Sequence, residues 1–139
     1  MATIKSYTDL QQSKKLAEIL SLESADMHYC LEQRDFASGY EIGITPYIKA
    51  KSFIGKCNII DVRPSWSLAS LLDVLPNNEN ISTNLSKGGY RISTLEYTNS
   101  WFVDYEDVTN GLNNCVTSAD NPVDACVDMI EKLHELKML

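Results

Sequence analysis

The chain holds 139 residues, 44% hydrophobic and 22% charged, a balance that predicts a soluble globular domain and excludes a disordered chain. At this length folding withdraws roughly two thirds of the unfolded surface from water, so a core can form without disulfides, metal or any other cofactor. Nineteen acidic against twelve basic side chains leave a net charge of −7, which opposes phosphate backbones and anionic lipid and argues against nucleic acid or a membrane surface as a direct partner.

The first fifteen residues carry Lys5, Asp9, Lys14 and Lys15 and no apolar stretch of the kind a secretory signal needs, so the expected location is the cytoplasm. A helix is predicted from about Asp9 to Leu20, with Thr8 as N-cap and Gln11 completing a capping box. At ~100° per residue Leu10, Leu16, Ala17 and Leu20 share one arc, and Lys14, Lys15 and Glu18 lie opposite. Short runs rich in β-branched and aromatic residues follow at Met27–Leu31, Tyr40–Ile44, Tyr47–Lys51 and Asn58–Val62, and most are expected to be strands. Pro64 and Pro76 bracket a second, shorter helix that would bury Leu68, Leu71, Leu72 and Leu75. Further strand-like runs occupy Ile81–Leu85, Tyr90–Tyr97 and Trp101–Tyr105, and Lys87-Gly88-Gly89 between the first two reads as a tight hairpin turn.

The closing helix should run from Pro122 to about Lys137, because Asn121 can cap it, Pro122 suits its first position and Asp124 meets its positive end. Val123, Cys126, Val127, Ile130 and Leu133 form its apolar stripe, while Asp124, Asp128, Glu131 and Glu135 gather on another side. No repeat or long linker divides the chain. The order of elements predicts one α+β domain over residues 1–139, with an antiparallel meander sheet packed by an N-terminal, a short middle and a C-terminal helix.

Four cysteines, Cys30, Cys57, Cys115 and Cys126, include no C-x-x-C pair, so they read as reduced thiols rather than zinc ligands. Glu131 and His134 form an E-x-x-H step, but a di-iron site needs two such copies on a four-helix frame, and His134 falls near the apolar stripe as a core histidine would. His28 and Cys30, two apart on a strand, share a face; catalysis there would need a convergent group such as Asp61. Asp104, Glu106, Asp107, Asp124 and Asp128 could together offer an acid, a base or a hard-metal site, although an acidic helix face is usually just solvated. The aromatic residues Tyr90, Tyr97, Trp101, Phe102 and Tyr105 crowd one stretch. Both faces of the Trp101–Tyr105 strand then carry an aromatic; core packing is the first account of such a strand and a recognition surface the second.

The strings Gln12-Ser13-Lys14-Lys15-Leu16-Ala17, Glu23-Ser24-Ala25-Asp26-Met27, Trp66-Ser67-Leu68 with Leu71-Leu72 and Leu75-Pro76, and Asp124-Ala125-Cys126-Val127 with Met129-Ile130 resemble a group of small uncharacterised proteins from gut Bacteroidales genomes and their phages. The resemblance implies an intracellular accessory protein of a mobile element and carries no catalytic motif. The leading expectation is a non-enzymatic protein-interaction or regulatory domain whose partner, another protein, is engaged near Trp101, Phe102 and Tyr105. Two other classes stay open: a small enzyme with a cleft around His28 and Cys30, and an acidic mimic of nucleic acid that would show its carboxylates as a one-sided stripe.

Overall fold

The computed structural model describes residues 5–33, 38–43, 59–91, 96–109 and 113–139. They fall into two compact units, one comprising Tyr7–Ser70 and the other the residues up to Ser6 together with Leu71–Leu139. The α+β class, the antiparallel pairing and the three expected helices are all present, and among the described residues the strands form two three-stranded sheets rather than one meander. The strand expected at Tyr47–Lys51 lies outside the described residues.

In the Tyr7–Ser70 unit, α1 (Leu10–Ile19) and a 3-10 turn (Leu22–Ser24) precede β1 (Met27–Gln33), β2 (Ser38–Gly43) and β3 (Ile59–Ser65). β1 is the central strand of the order β2-β1-β3, antiparallel to both neighbours. The N-cap of α1 is Asp9, one residue later than expected, and its box partner is Gln12 rather than Gln11. The Asp9 carboxylate accepts the Gln12 amide at 2.8 Å, and the Gln12 side chain accepts the Asp9 amide at 3.1 Å.

Thr8 is displaced from capping because its hydroxyl is sealed inside. It lies 2.7 Å from the Ser13 hydroxyl and 3.2 Å from that of Ser65, and it accepts the Trp66 amide at 3.1 Å. The Thr8 amide donates to the Trp66 carbonyl at 2.9 Å, and the Tyr29 phenol donates to the Thr8 carbonyl at 2.7 Å. Buried hydroxyls are costly unless bonded, and here each finds a partner, so the N-terminus of α1 is fastened to the end of β3. The expected apolar arc of α1 is thereby split. Ser13 and Leu16 turn inward, whereas Leu10 stays 40% exposed and Ala17 is exposed.

Trp66, between β3 and α2 (Leu68–Val74), is fully buried, and its indole N–H donates to the Ser24 hydroxyl at 2.9 Å. The Asp26 carboxylate accepts both the hydroxyl and the amide of Ser67 just ahead of α2. Partial burial pulls the Asp26 pKa upward, but hydrogen bonds from Ser67 and Ser70 outweigh it and hold the group below the ordinary carboxylate value. Leu71 and Leu75 are buried as expected, and Leu72 is exposed.

In the other unit, β4 (Ile81–Arg91), β5 (Glu96–Asp107) and β6 (Asn113–Ala119) form an antiparallel meander. Gly88 and Gly89 are not a hairpin turn. They lie within β4, and the connection to β5 falls beyond them, between Arg91 and Glu96. The register slips between the Lys87–Trp101 and Gly89–Thr98 pairs, so Asn99 and Ser100 together oppose Gly88, which is a β-bulge in β5. The bulge uses both glycines: a Cβ on Gly88 would sit 1.9 Å from the Thr98 carbonyl oxygen, and Gly89 has φ +109°. Turns and bulges need the same residue, which is why the sequence pattern misleads here.

α3 (Pro122–Glu135) packs on β5 and β6. Asn121 accepts the Asp124 amide at 2.8 Å, and Pro122 stands at the start, as the sequence predicts. Val123, Cys126, Val127, Ile130 and Leu133 are buried to 1% exposure or less. At the far end the Met138 amide reaches the Leu133 carbonyl at 2.8 Å and the Lys137 amide reaches that of His134 at 3.0 Å, with Lys137 at φ 58°. This is a Schellman ending with lysine where glycine is usual.

Candidate interaction surface

The strand β5 separates the aromatic residues expected to act together. On the side covered by α3, Val103 is fully buried and Tyr105 is only 2% exposed. Tyr105 is therefore a core residue and offers nothing to a partner. Burial, aided by the nearby Asp107 and Cys115, raises its phenol above the usual value. Trp101 shares that side at the end of the buried row, half-buried, with the Lys87 ammonium 5.8 Å from its ring centre. Phe102 points the other way.

On that opposite face the register across the sheet reads Ser82–Glu106–Asn114, Asn84–Asp104–Val116 and Ser86–Phe102–Ser118. Glu106, Asn84, Ser86, Asn114 and Ser118 are exposed, Phe102 and Asp104 are half-buried, and Val116 is 48% exposed. Phe102 and Val116 are diagonal neighbours on adjacent strands, within reach of each other across the pleat. They make an apolar spot in a field of small polar side chains. Sequence reasoning missed Val116, because Asn113-Asn114-Cys115-Val116-Thr117-Ser118-Ala119 shows neither strict alternation nor a run of β-formers.

The carboxylates that could have offered a site do not gather into a metal-ligating group among the described residues. Asp107 is buried, accepting the amide and hydroxyl of Thr109 at 3.0 and 2.8 Å to close the end of β5, while Glu106 stands exposed on the other face. Asp124 is engaged at the start of α3, where it accepts the Lys5 ammonium at 2.8 Å and the Asn121 side-chain amide at 2.8 Å. His134 is exposed on the last turn of α3 and is not the core histidine its position suggests, because the buried arc ends with Leu133. Among the described residues no three His, Cys, Asp or Glu side chains gather as metal ligands would.

His28 is buried on β1, where it pairs with Gly43 and Pro64; Cys30 pairs with Glu41 and Val62. Asp61 pairs with Leu31, so the register puts its position out of phase with those of His28 and Cys30, which share a face. Cys115 and Cys126 are buried free thiols, and burial pushes Cys126 up to about 12, far from the reactive thiolate range.

A second feature lies in the Tyr7–Ser70 unit. Leu10, Ser13, Lys14 and Ala17, one stripe of α1, face Arg63 and Pro64 of β3 across an open groove of about 340 Å³. No helix among the described residues is long and apolar enough to cross a membrane. In comparisons with protein-family models, curated proteins and solved structures, nothing matches this chain.

Proposed function

We propose that the chain is a small, non-enzymatic protein-interaction or regulatory domain, acting in the bacterial cytoplasm as the accessory of a mobile element, and that its partner is another protein. The observation that carries this reading is the face of β4-β5-β6 opposite α3, where Phe102 and Val116 sit side by side within a polar surround. An apolar anchor inside a polar rim is the anatomy of a protein interface, and one aromatic anchor can supply 2 kcal/mol or more. The contact is thus centred on Phe102 rather than on Trp101 and Tyr105. Net charge of −7 favours a protein over nucleic acid as the direct partner.

The test is affinity capture from the native host with three baits of unchanged circular dichroism: wild type, Phe102→Ser and Val116→Ser. A protein held by the wild type and lost at least tenfold by both variants supports the reading. Capture that persists through both, or no stoichiometric capture at all, overturns it.

A further inference from the structure

We propose that β6 pairs edge to edge with β6 of a second copy of this chain, antiparallel about a two-fold axis at Val116, so that two β4-β5-β6 sheets join into one of six strands. The proposal does not rest on the partner surface above, because it uses the backbone edge of the sheet rather than its face. Among the described residues four strands stand at sheet edges: β2 and β3 in one sheet, β4 and β6 in the other. An open edge invites pairing with another chain, and a charge, a proline or a bulge is what usually prevents it. β2 carries Glu41, and β3 carries Asp61, Arg63 and Pro64. β4 carries Lys87 and Arg91, and its ladder to β5 slips at Gly88. β6 (Asn113–Ala119) has none of these devices. It is the one strand of the six without a charged residue, it holds no proline or glycine, and its register with β5 runs unbroken from end to end.

Charge decides for a second copy. Two chains of net charge −7 repel wherever their acids face one another, so they can meet only along an uncharged edge. Antiparallel pairing about Val116 sets Val116 against itself, Asn114 against Ser118 and Cys115 against Thr117, and no facing pair holds a charge. Asp120 lies just past the end of β6, outside the paired stretch. Asp104 and Glu106 stand one strand further in, on β5. Across the seam the two β5 strands are three strand spacings apart, roughly 14 Å, which exceeds the Debye length of about 8 Å at physiological salt. The two-fold also satisfies the backbone, because each outward amide or carbonyl of one β6 meets its complement on the other. Asn114, Val116 and Ser118 are exposed, so no side chain has to leave a core for the strands to meet.

The test is analytical ultracentrifugation of the purified full chain, with no host protein present. Wild type should sediment as a dimer with Kd below about 100 µM. Val116→Lys, which sets two ammonium groups face to face at the axis, should weaken the dimer at least tenfold. Val108→Lys makes the same change of charge at a 60% exposed valine just past β5 and should not. Phe102→Ser should leave the dimer within threefold of wild type, which separates the edge contact from a face-to-face stack and from the partner surface. A covalent readout stands beside these should Val116→Lys lose its native circular dichroism. Facing residues at the axis have Cα atoms about 4.5–5.5 Å apart, within reach of a disulfide, so diamide should link Val116→Cys into a dimer far more readily than Val108→Cys. A wild type that stays monomeric up to about 0.5 mM, as it would if the edge served only a strand of another protein, overturns the proposal. So does a dimer that survives folded Val116→Lys, one lost in Phe102→Ser or Val108→Lys, or equal linking of the two cysteine variants.

Discussion

Alanine at Gly88 probes a close backbone approach between β4 and β5. Its Cβ would meet the Thr98 carbonyl oxygen at 1.9 Å and carbon at 2.7 Å, whereas ordinary contact begins near 3.4 Å. Both obstacles are backbone, so no side-chain rotation can give relief and the strands must part locally by about 1.5 Å. That movement should break about two or three of the ladder hydrogen bonds between β4 and β5 around the bulge. At about 0.5–1.5 kcal/mol each, the loss should be roughly 2–4 kcal/mol. Gly89→Ala is the control, because nothing lies within 4 Å of its would-be Cβ and only the positive φ is at stake. It should cost about 1–2 kcal/mol. Urea unfolding of the two variants measures the difference. A Gly88→Ala penalty below about 1 kcal/mol, or one smaller than that of Gly89→Ala, would refute the reasoning that a tight bulge fixes this register.

Thr8→Val keeps the shape of the side chain but strands the Trp66 amide and weakens two buried serine hydroxyls, and should destabilise the protein by about 2–4 kcal/mol in urea melts; a neutral result would mean water replaces the hydroxyl. Lys137→Gly should stabilise it by about 0.5–1 kcal/mol, since glycine adopts the left-handed end of α3 without a Cβ penalty; a loss of stability would show that the lysine side chain contributes more than its backbone strain costs. The Cys126 thiol, raised from 9.0 to about 12 by burial, contributes stability that is complete below pH 9 and disappears as pH climbs towards 12. Over that window wild-type stability should fall about 1.4 kcal/mol per pH unit more steeply than that of Cys126→Ala, and parallel slopes in alkaline melts would contradict the burial of the thiol.

What could be read in advance follows from how local each determinant is. α3 is legible in phase and start because Asn121, Pro122 and the apolar spacing all act within one helix, and the five stripe residues are those the structure buries. The start of α1 is shifted by one residue because Thr8 and Asp9 are both able caps; the choice is made by Ser65 and Trp66, nearly sixty positions away. Alternation along β5 was equally plain, yet it left open which face α3 would cover, so Tyr105 fell to the core and Phe102 to the other side. β6 gave no signal of its own: its strand character comes from pairing with β5. The groove was hidden for a related reason, since Leu10 and Ala17 look like core residues until Ser13 joins Leu16 on the buried side in their place.

The chain has two tryptophans, and the division of the fold gives one to each unit: Trp66 to Tyr7–Ser70 and Trp101 to the other. They sit in unlike surroundings, the first sealed and hydrogen-bonded to Ser24, the second half-exposed beside Lys87. Their fluorescence should therefore differ in colour and in access to a quencher such as iodide, Trp66 emitting to the blue and resisting it. With Trp66→Phe and Trp101→Phe each leaving a single emitter, the protein carries its own pair of optical reporters, and the melting of each unit can be followed without attaching a label.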